Sequence, residues 1–321
     1  MTSNEPDKPT PTLEFTGERF TPECVREIFY EHWHRYAWAA GLVEGLEVLD
    51  CACGEGYGAR LLAERAKSVH GVDLDQKTIA HAQQRYCADN LTFECASALA
   101  LPYDDDRFDA VVSFETLEHL VEHDELLGEF RRVLKPGGFL VLSSPDRKTY
   151  SDETGFENEF HLRELYRDEL EALLGRHFPN HRLYGQKLMF NSALWRLDDR
   201  TAATEALIAE DDGTIRRSDR PAQPPLYFIA LAAADGVELP ESGALSLFTD
   251  RAESVYAHYN EEVGKHIRAG ELLAERDAEI GQLKAELQRL KDSTAPAAGQ
   301  CPDETAPQSL WRRLRRRLAG R

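Results

Sequence analysis

Residues 113–120 read SFETLEHL, which sets Glu115, Glu118 and His119 at i, i+3 and i+4 directly behind the apolar β-formers FDAVVSF (108–114). On a helix that spacing turns all three side chains to one face. Two carboxylates and an imidazole on one face can shuttle a proton at a reacting hydroxyl or hold a divalent cation. Surface charge also produces such spacings, so the elements that position the three residues decide what they do.

Those elements alternate. From Pro22 to about Leu42 the pattern is helical and includes FYEHWHRYAWAAGL. LEVLDC (46–51) reads as a strand, 58–66 as a helix, SVHGVD (68–73) as a strand and 76–88 as a helix. LTFEC (91–95), FDAVVSF (108–114), a helix reaching Val133 and GGFLVLSS (137–144) follow, then HRLYGQKL (181–188) and LYFIALAA (226–233) as two more strands. Strands alternating with helices predict an α/β fold, a largely parallel sheet covered on both faces. The polar stretch between the last two strands, spanning 189–224, reads as a loop insertion.

The sharpest local signal is VLDCACGEGYGAR (48–60). A strand runs into Asp50, and Gly54, Gly56 and Gly58 open a helix, as needed where backbone turns tightly and a ligand approaches closely. The next strand ends in GVDLD, with Asp73 placed to accept both hydroxyls of a ribose. A glycine-rich turn alone could equally serve a dinucleotide.

Taken together, LDCACGEGYG, GVDLD, SALALPYDDDRFDAVVS and RRVLKPGGFLVLSSP resemble, in order, the motifs of the Rossmann-like S-adenosylmethionine-dependent methyltransferases over about residues 30–235. The resemblance implies a Rossmann-like seven-stranded, mostly parallel sheet ordered 3-2-1-4-5-7-6 with helices on both faces; the helical patterns before and after it add an N-terminal helix and a C-terminal coiled-coil helix. It also implies S-adenosylmethionine as cofactor. Asp50 and the backbone of Ala52, Cys53, Gly54 and Gly56 would hold its methionine part, with Tyr36 closing that end beside Arg35. Asp73 would take the ribose, Leu74 an adenine face, Ser97 and Ala98 the adenine edge, and Phe114 the sulfonium side. Ala52 stands where the family usually has glycine, and Ser97 where an aspartate commonly binds the adenine amine.

More narrowly, GERFTPE, EHWHRYAWA, SFETLEHL and NEFHLRELY resemble bacterial methyltransferases associated with glycan and polysaccharide synthesis. That implies O-methylation of a sugar hydroxyl. A small-molecule O-methyltransferase of quinone or natural-product type is the alternative, and a cofactor-binding coiled-coil scaffold a third reading. In the implied sheet the fourth strand ends beside the transferred methyl, and the loop after the fifth strand delivers His161 to the same rim. Glu115, Glu118, His119 and His161 would then form a site for Mg²⁺, Mn²⁺ or Zn²⁺, similar to the E-x-x-E-H set of small-RNA 2′-O-methyltransferases. Glu118 and His119 are the expected catalytic pair. In other methyltransferases the same E-H acts without a metal, with the histidine as base or as a packing residue.

Composition sets the outer bounds. The chain has 321 residues, 42% hydrophobic and 30% charged, which fits a water-exposed globular body rather than a membrane-embedded one. The polar N-terminus shows no secretory pattern, and the six cysteines form no C-x-x-C pair, so a reducing cytoplasm is expected, with peripheral contact at the inner membrane surface as an option. The formal charge is −19 although six arginines crowd WRRLRRRLAGR (311–321). So acidic a body repels phosphate backbones and argues against a long nucleic-acid substrate. The basic tail suits an anionic membrane surface or an acidic partner. Ahead of it, Leu273, Ile280 and Leu287 recur at seven with Leu283 and Leu290 as the second apolar set, the seam of a short coiled coil and a route to a homo-oligomer. The expected organisation is a flexible lead (1–21), a helical cap (22–45), the cofactor-binding domain (46–249), the helix (250–293) and a linker with basic tail (294–321).

Overall fold

In the computed structural model of the chain, residues 27–189, 206–209, 215–218, 221, 223–243 and 245–294 are described. The expected lead at 1–21, the basic tail and most of the 189–224 insertion lie outside them. Five apolar runs become parallel strands: β1 (Glu47–Cys51), β2 (Ser68–Asp73), β3 (Leu91–Cys95), β4 (Phe108–Ser113) and β5 (Leu134–Pro145). β6 (Asn180–Gln186) follows, then a separate antiparallel hairpin of β7 (Ala206–Ala209) and β8 (Ile215–Ser218), and finally β9 (Tyr227–Ala233). The large sheet is ordered β3-β2-β1-β4-β5-β9-β6, with β9 antiparallel to both neighbours. β9 is its seventh strand in chain order, so the expected Rossmann-like arrangement is what the chain forms.

The strands are apolar throughout because both faces are covered. Val48, Val69, Val112 and Val141 pack on one side with Tyr36 and Ala39 of α1 (Glu27–Leu42), Leu62 of α2 (Tyr57–Leu62) and Ile79 of α3 (Gln76–Arg85). Their odd-even neighbours Leu49, Val111, Leu140 and Leu142 pack on the other with Leu126 and Phe130 of α4 (His123–Val133) and Leu170 and Leu174 of α5 (Arg167–His177). Each fully buried side chain of this size contributes about 1.5–3 kcal/mol.

Helix ends differ from the expected ones in detail. α1 is seen from Glu27, the expected first turn from Pro22 lying outside the described residues. α2 stops at Leu62 rather than 66, because Glu64 and Arg65 donate to Leu61 and Leu62 in tight turns. α3 stops at Arg85, where Tyr86 turns extended. The larger correction concerns SFETLEHL. It is not a regular helix: Glu115 adopts φ 49°, and only Leu117–His119 form a 3₁₀ turn before α4 begins. The one-face geometry expected for Glu115, Glu118 and His119 is therefore lost.

Contacts divide the chain into two compact units, the first ending at Val255. The second begins within α6 (Ser254–Thr294), a 41-residue helix. No helix among the described residues is long and apolar enough to cross a membrane.

Candidate active site

The glycine loop after β1 is a run of left-handed residues, with φ 59° at Ala52, 55° at Gly54 and 96° at Gly56. The turn lets Cys53 N donate to Val72 O at 2.8 Å and Gly54 N to Asp73 Oδ2 at 3.0 Å. Asp75 N donates to the other oxygen, Oδ1, also at 3.0 Å. Backbone donors at both oxygens fix the aim of the Asp73 carboxylate, which is what accepting a ribose diol would require. Leu74 follows at 74% exposure, an apolar surface beside the ribose acid that an adenine ring would cover. Ser97 Oγ accepts from Leu99 N at 3.2 Å, and Ala98 packs against the sheet's second core. Where the family's aspartate would reach the adenine amine, this chain therefore has a short hydroxyl tied to its own turn.

On the methionine side, Asp50 is fully buried and accepts from Tyr36 OH at 3.1 Å. Burial pushes the Asp50 carboxyl up to about 7, against the lowering effect of the Tyr36 hydrogen bond. Tyr36 lies edge-on to Phe114, ring centroids 4.9 Å apart, and is itself buried. α1 thus sets the Tyr36 ring over the Asp50 carboxyl and against Phe114.

Arg35 was the less prominent neighbour in the sequence, yet it organises the rim. Its guanidinium is 2% exposed, with Nη1 3.0 Å from Glu115 Oε1, Nε donating to Gln186 Oε1 at 2.6 Å, and its plane over the Tyr227 ring at 4.3 Å. Glu115 also accepts from Ser143 Oγ at 2.6 Å, and its backbone N donates to that oxygen at 2.9 Å. The left-handed backbone at Glu115 thus aims its carboxylate at Arg35 and β5. Glu115 accordingly does not join the expected metal set.

The other three members do come together. One ligand atom each from Glu118, His119 and His161 lies within 4.8 Å of the other two. Glu118 is completely buried, and neither carboxylate oxygen has a hydrogen-bond partner among the described residues. Burial, reinforced by the nearby Glu115 carboxylate, pushes its carboxyl well above the usual range. His119 Nδ1 stands 2.9 Å from Phe160 O, a carbonyl that can only accept, so the proton sits on Nδ1 and Nε2 carries the lone pair. His161 Nδ1 meets Glu164 Oε1 at 2.5 Å, Ser151 Oγ donates to the other Glu164 oxygen at 2.6 Å, and Tyr150 stacks on the imidazole. Its Nε2 accepts from the Asn158 amide at 3.0 Å. A carboxylate behind an imidazole fixes the tautomer and raises basicity, the usual support of a metal-binding histidine.

Sequence reasoning missed Glu31, Glu164, Ser151 and Gln186. Glu164 was the one with a visible signal, three residues beyond His161 in HLRE. Glu31 lies on α1 beside Arg35, and burial drives its carboxyl up to about 7, with Arg35 opposing and Glu115 adding to the rise. An acid with a raised folded pKa carries no penalty below its unfolded value near 4.5, and a penalty that is complete once pH passes about 7. Glu31→Gln is therefore expected to leave stability near that of the parent at pH 4.5 and to gain up to about 3 kcal/mol relative to it by pH 8. Parallel denaturant titrations across that range check this; a constant difference at every pH would contradict it.

Comparison with known proteins adds the following. The family described as Methyltransferase domain matches residues 49–142, from β1 to β5. A protein of Mycolicibacterium smegmatis named a probable S-adenosylmethionine-dependent methyltransferase is 39% identical over 174 residues, covering 53% of this chain and 67% of the relative. A Mycobacterium tuberculosis protein of the same designation is 38% identical over 165 residues, covering 50% of this chain and 60% of its own length. The 27-O-demethylrifamycin SV methyltransferase of Amycolatopsis mediterranei is 36% identical over 160 residues, covering 42% of this chain and 59% of its own length. The chain therefore spans about two thirds or less of these relatives.

Proposed function

The chain belongs to the S-adenosylmethionine-dependent methyltransferases, and on that premise we propose that it methylates a hydroxyl of a small, natural-product-type acceptor at a divalent cation held by Glu118, His119 and His161. The observation that carries this is Glu118, a fully buried carboxylate with no hydrogen-bond partner among the described residues, beside two imidazoles at the end of β4. A buried unpaired carboxylate is strongly unfavourable unless something charged completes it. The donor set fits a cation. With Glu115 engaged by Arg35, two nitrogens and one oxygen remain, which suits Mn²⁺ or Zn²⁺ ahead of the oxygen-seeking Mg²⁺. A divalent cation held by these three residues would supply Lewis-acid chemistry that makes the acceptor hydroxyl more acidic.

The chain's own residues supply alignment. Asp73 and the loop from Ala52 to Gly56 would fix the cofactor, with Tyr36 and Phe114 walling the end from which the methyl leaves. In-line transfer then depends on the acceptor oxygen being held at the rim of β4. His119 presents Nε2 there because Phe160 O occupies Nδ1, and Glu164 on Nδ1 orients His161 so that its Nε2 would exchange the Asn158 amide for the cation.

The Amycolatopsis relative's name specifies a hydroxyl on a natural product, and none of the three relatives' names mentions a glycan. The small-molecule reading therefore leads, and the sugar hydroxyl expected from the motifs is one arm of its test. Methyl-tritiated S-adenosylmethionine is incubated with polyphenol, macrocyclic polyol, alkyl glucoside and amine acceptors, with EDTA and with Mn²⁺, Zn²⁺ or Mg²⁺. Label is expected in a methyl ether of the polyphenol or polyol, absent in EDTA and restored best by Mn²⁺ or Zn²⁺. Label on amines alone would overturn the hydroxyl, label on the glucoside alone would restore the sugar reading, and undiminished turnover in EDTA would leave His119 as a metal-free base.

A further inference from the structure

Helix α6 carries an exposed apolar seam: Leu273 is 66% exposed, Ile280 46%, Leu283 57%, Leu287 52% and Leu290 54%. In a heptad frame Leu273, Ile280 and Leu287 take the a positions, and Leu283 and Leu290 the d positions, with Arg276 as the one polar d residue of this stretch. The flanks of the seam are charged in a consistent way. Glu279 and Glu286 fall at g, and Lys284 and Lys291 at the e positions of the following heptads. A second copy aligned in parallel and in register would place Glu279 against Lys284 and Glu286 against Lys291 on both sides of the seam, four opposite-charge pairs. An antiparallel copy would instead set glutamates against glutamates and lysines against lysines, because g then faces g and e faces e.

From the seam and its self-complementary flanks we infer that α6 binds a second copy of this chain as a parallel, in-register, two-stranded coiled coil. At the middle layer Ile280 at a with Leu283 at d is the combination that favours two strands, flanked by Leu273 and Leu287 at the other a positions. Arg276 at d, paired with Glu279 of its own helix at 2.7 Å, disfavours slipped registers that would set it against Ile280 or Leu283. The seam spans under three heptads, so the dimer is concentration-dependent rather than permanent. This inference is independent of the acceptor and of the metal.

Sedimentation equilibrium of the full chain over a wide concentration range tests it. The parent is expected to approach twice the 36.3 kDa chain mass at the upper end. Glu279→Lys separates the orientations. In the parallel dimer the introduced ammonium faces Lys284 of the other copy, twice by symmetry, and dimerisation should weaken about tenfold. In an antiparallel dimer the same change turns a Glu279–Glu286 contact into an attraction and should strengthen it. Lys284→Glu with Lys291→Glu should likewise abolish self-association, and mixing that variant with Glu279→Lys/Glu286→Lys should restore a twofold mass. Helical circular dichroism and methyl transfer by each variant show that the chain is folded. A parent that stays at 36.3 kDa throughout, a fourfold mass, or a Glu279→Lys variant that dimerises as well as or better than the parent would each overturn the inference.

Discussion

Glu118→Gln is expected to lower methyl transfer about a hundredfold or more and to remove stoichiometric Mn²⁺ or Zn²⁺ binding. Glutamine keeps the volume and shape of the side chain in a site with 0% exposure, so the core around it should stand. What it cannot do is carry a negative charge to a cation. The two accounts of Glu118 diverge at this substitution. A carboxyl kept neutral by burial is mimicked well by an amide, and the change would then be silent. A ligand carboxylate is not mimicked, and the loss is large. Stability moves the other way. Because burial holds the Glu118 carboxyl far above its ordinary range, the metal-free parent is penalised as pH rises past that range, and the glutamine variant is not. In chelator at pH 8 the variant should therefore melt higher than the parent, and added Mn²⁺ should raise the parent's melting temperature alone. Metal content, turnover and melting measured on the same preparations check all three; unchanged metal content in the variant would remove Glu118 from the site.

Gly58→Ala should be the most damaging single-methyl change in the cofactor region. A Cβ at this position would overlap Tyr36 Cζ and both Cε atoms. The ring has little room to yield: its hydroxyl is tied to Asp50, and it meets Tyr57 and Phe114 edge-on at 5.2 and 4.9 Å. Overpacking of a filled core typically costs about 1–3 kcal/mol, or roughly 2–12 °C of melting temperature in a domain of this size. If the displaced ring lines the cofactor's methionine end, as the proposed function has it, S-adenosylmethionine affinity should fall about tenfold as well. Gly128→Ala, in α4 with nothing within 4 Å of the added carbon, is the control and should be neutral or slightly stabilising. Combining Gly58→Ala with Tyr36→Ala should recover much of the stability lost beyond Tyr36→Ala alone, as expected of two residues in direct contact. Purely additive losses would mean that the contact is not what the glycine protects.

The sheet was readable because strands covered on both faces appear as uninterrupted apolar runs, and VLDC, FDAVVS and FLVLSS have no other comfortable fate. The glycine loop and Asp73 were readable for a local reason, since the turn and the strand end that place them are a few residues away. SFETLEHL was misread for the converse reason. Its spacing satisfies a helix template, but Ser143 of β5 captures the Glu115 backbone N–H, and Arg35, far back in the chain on α1, captures its carboxylate. Neither partner is visible from the segment itself. His161 could be assigned to the rim by topology, whereas Ser151 and Glu164 behind it could not, because the loop after β5 follows no period.

The antiparallel course of β9 has a consequence for how such a chain can diverge. β6 ends at Gln186 and β9 begins at Tyr227, paired directly across the ladder, and Leu226 N donates to Gln186 O at 2.9 Å. Both ends of the intervening segment are therefore anchored side by side, next to the Arg35 guanidinium that also holds Glu115. Residues can be added or removed between those anchors while every strand of the seven-stranded sheet keeps its partner and its register. The cofactor half has no such freedom, because its loop is tied into β2 through Asp73 and Val72. The architecture behaves as a fixed handle with an interchangeable bit: one neck accepts new sequence while the sheet that carries the cofactor loop stays as it is.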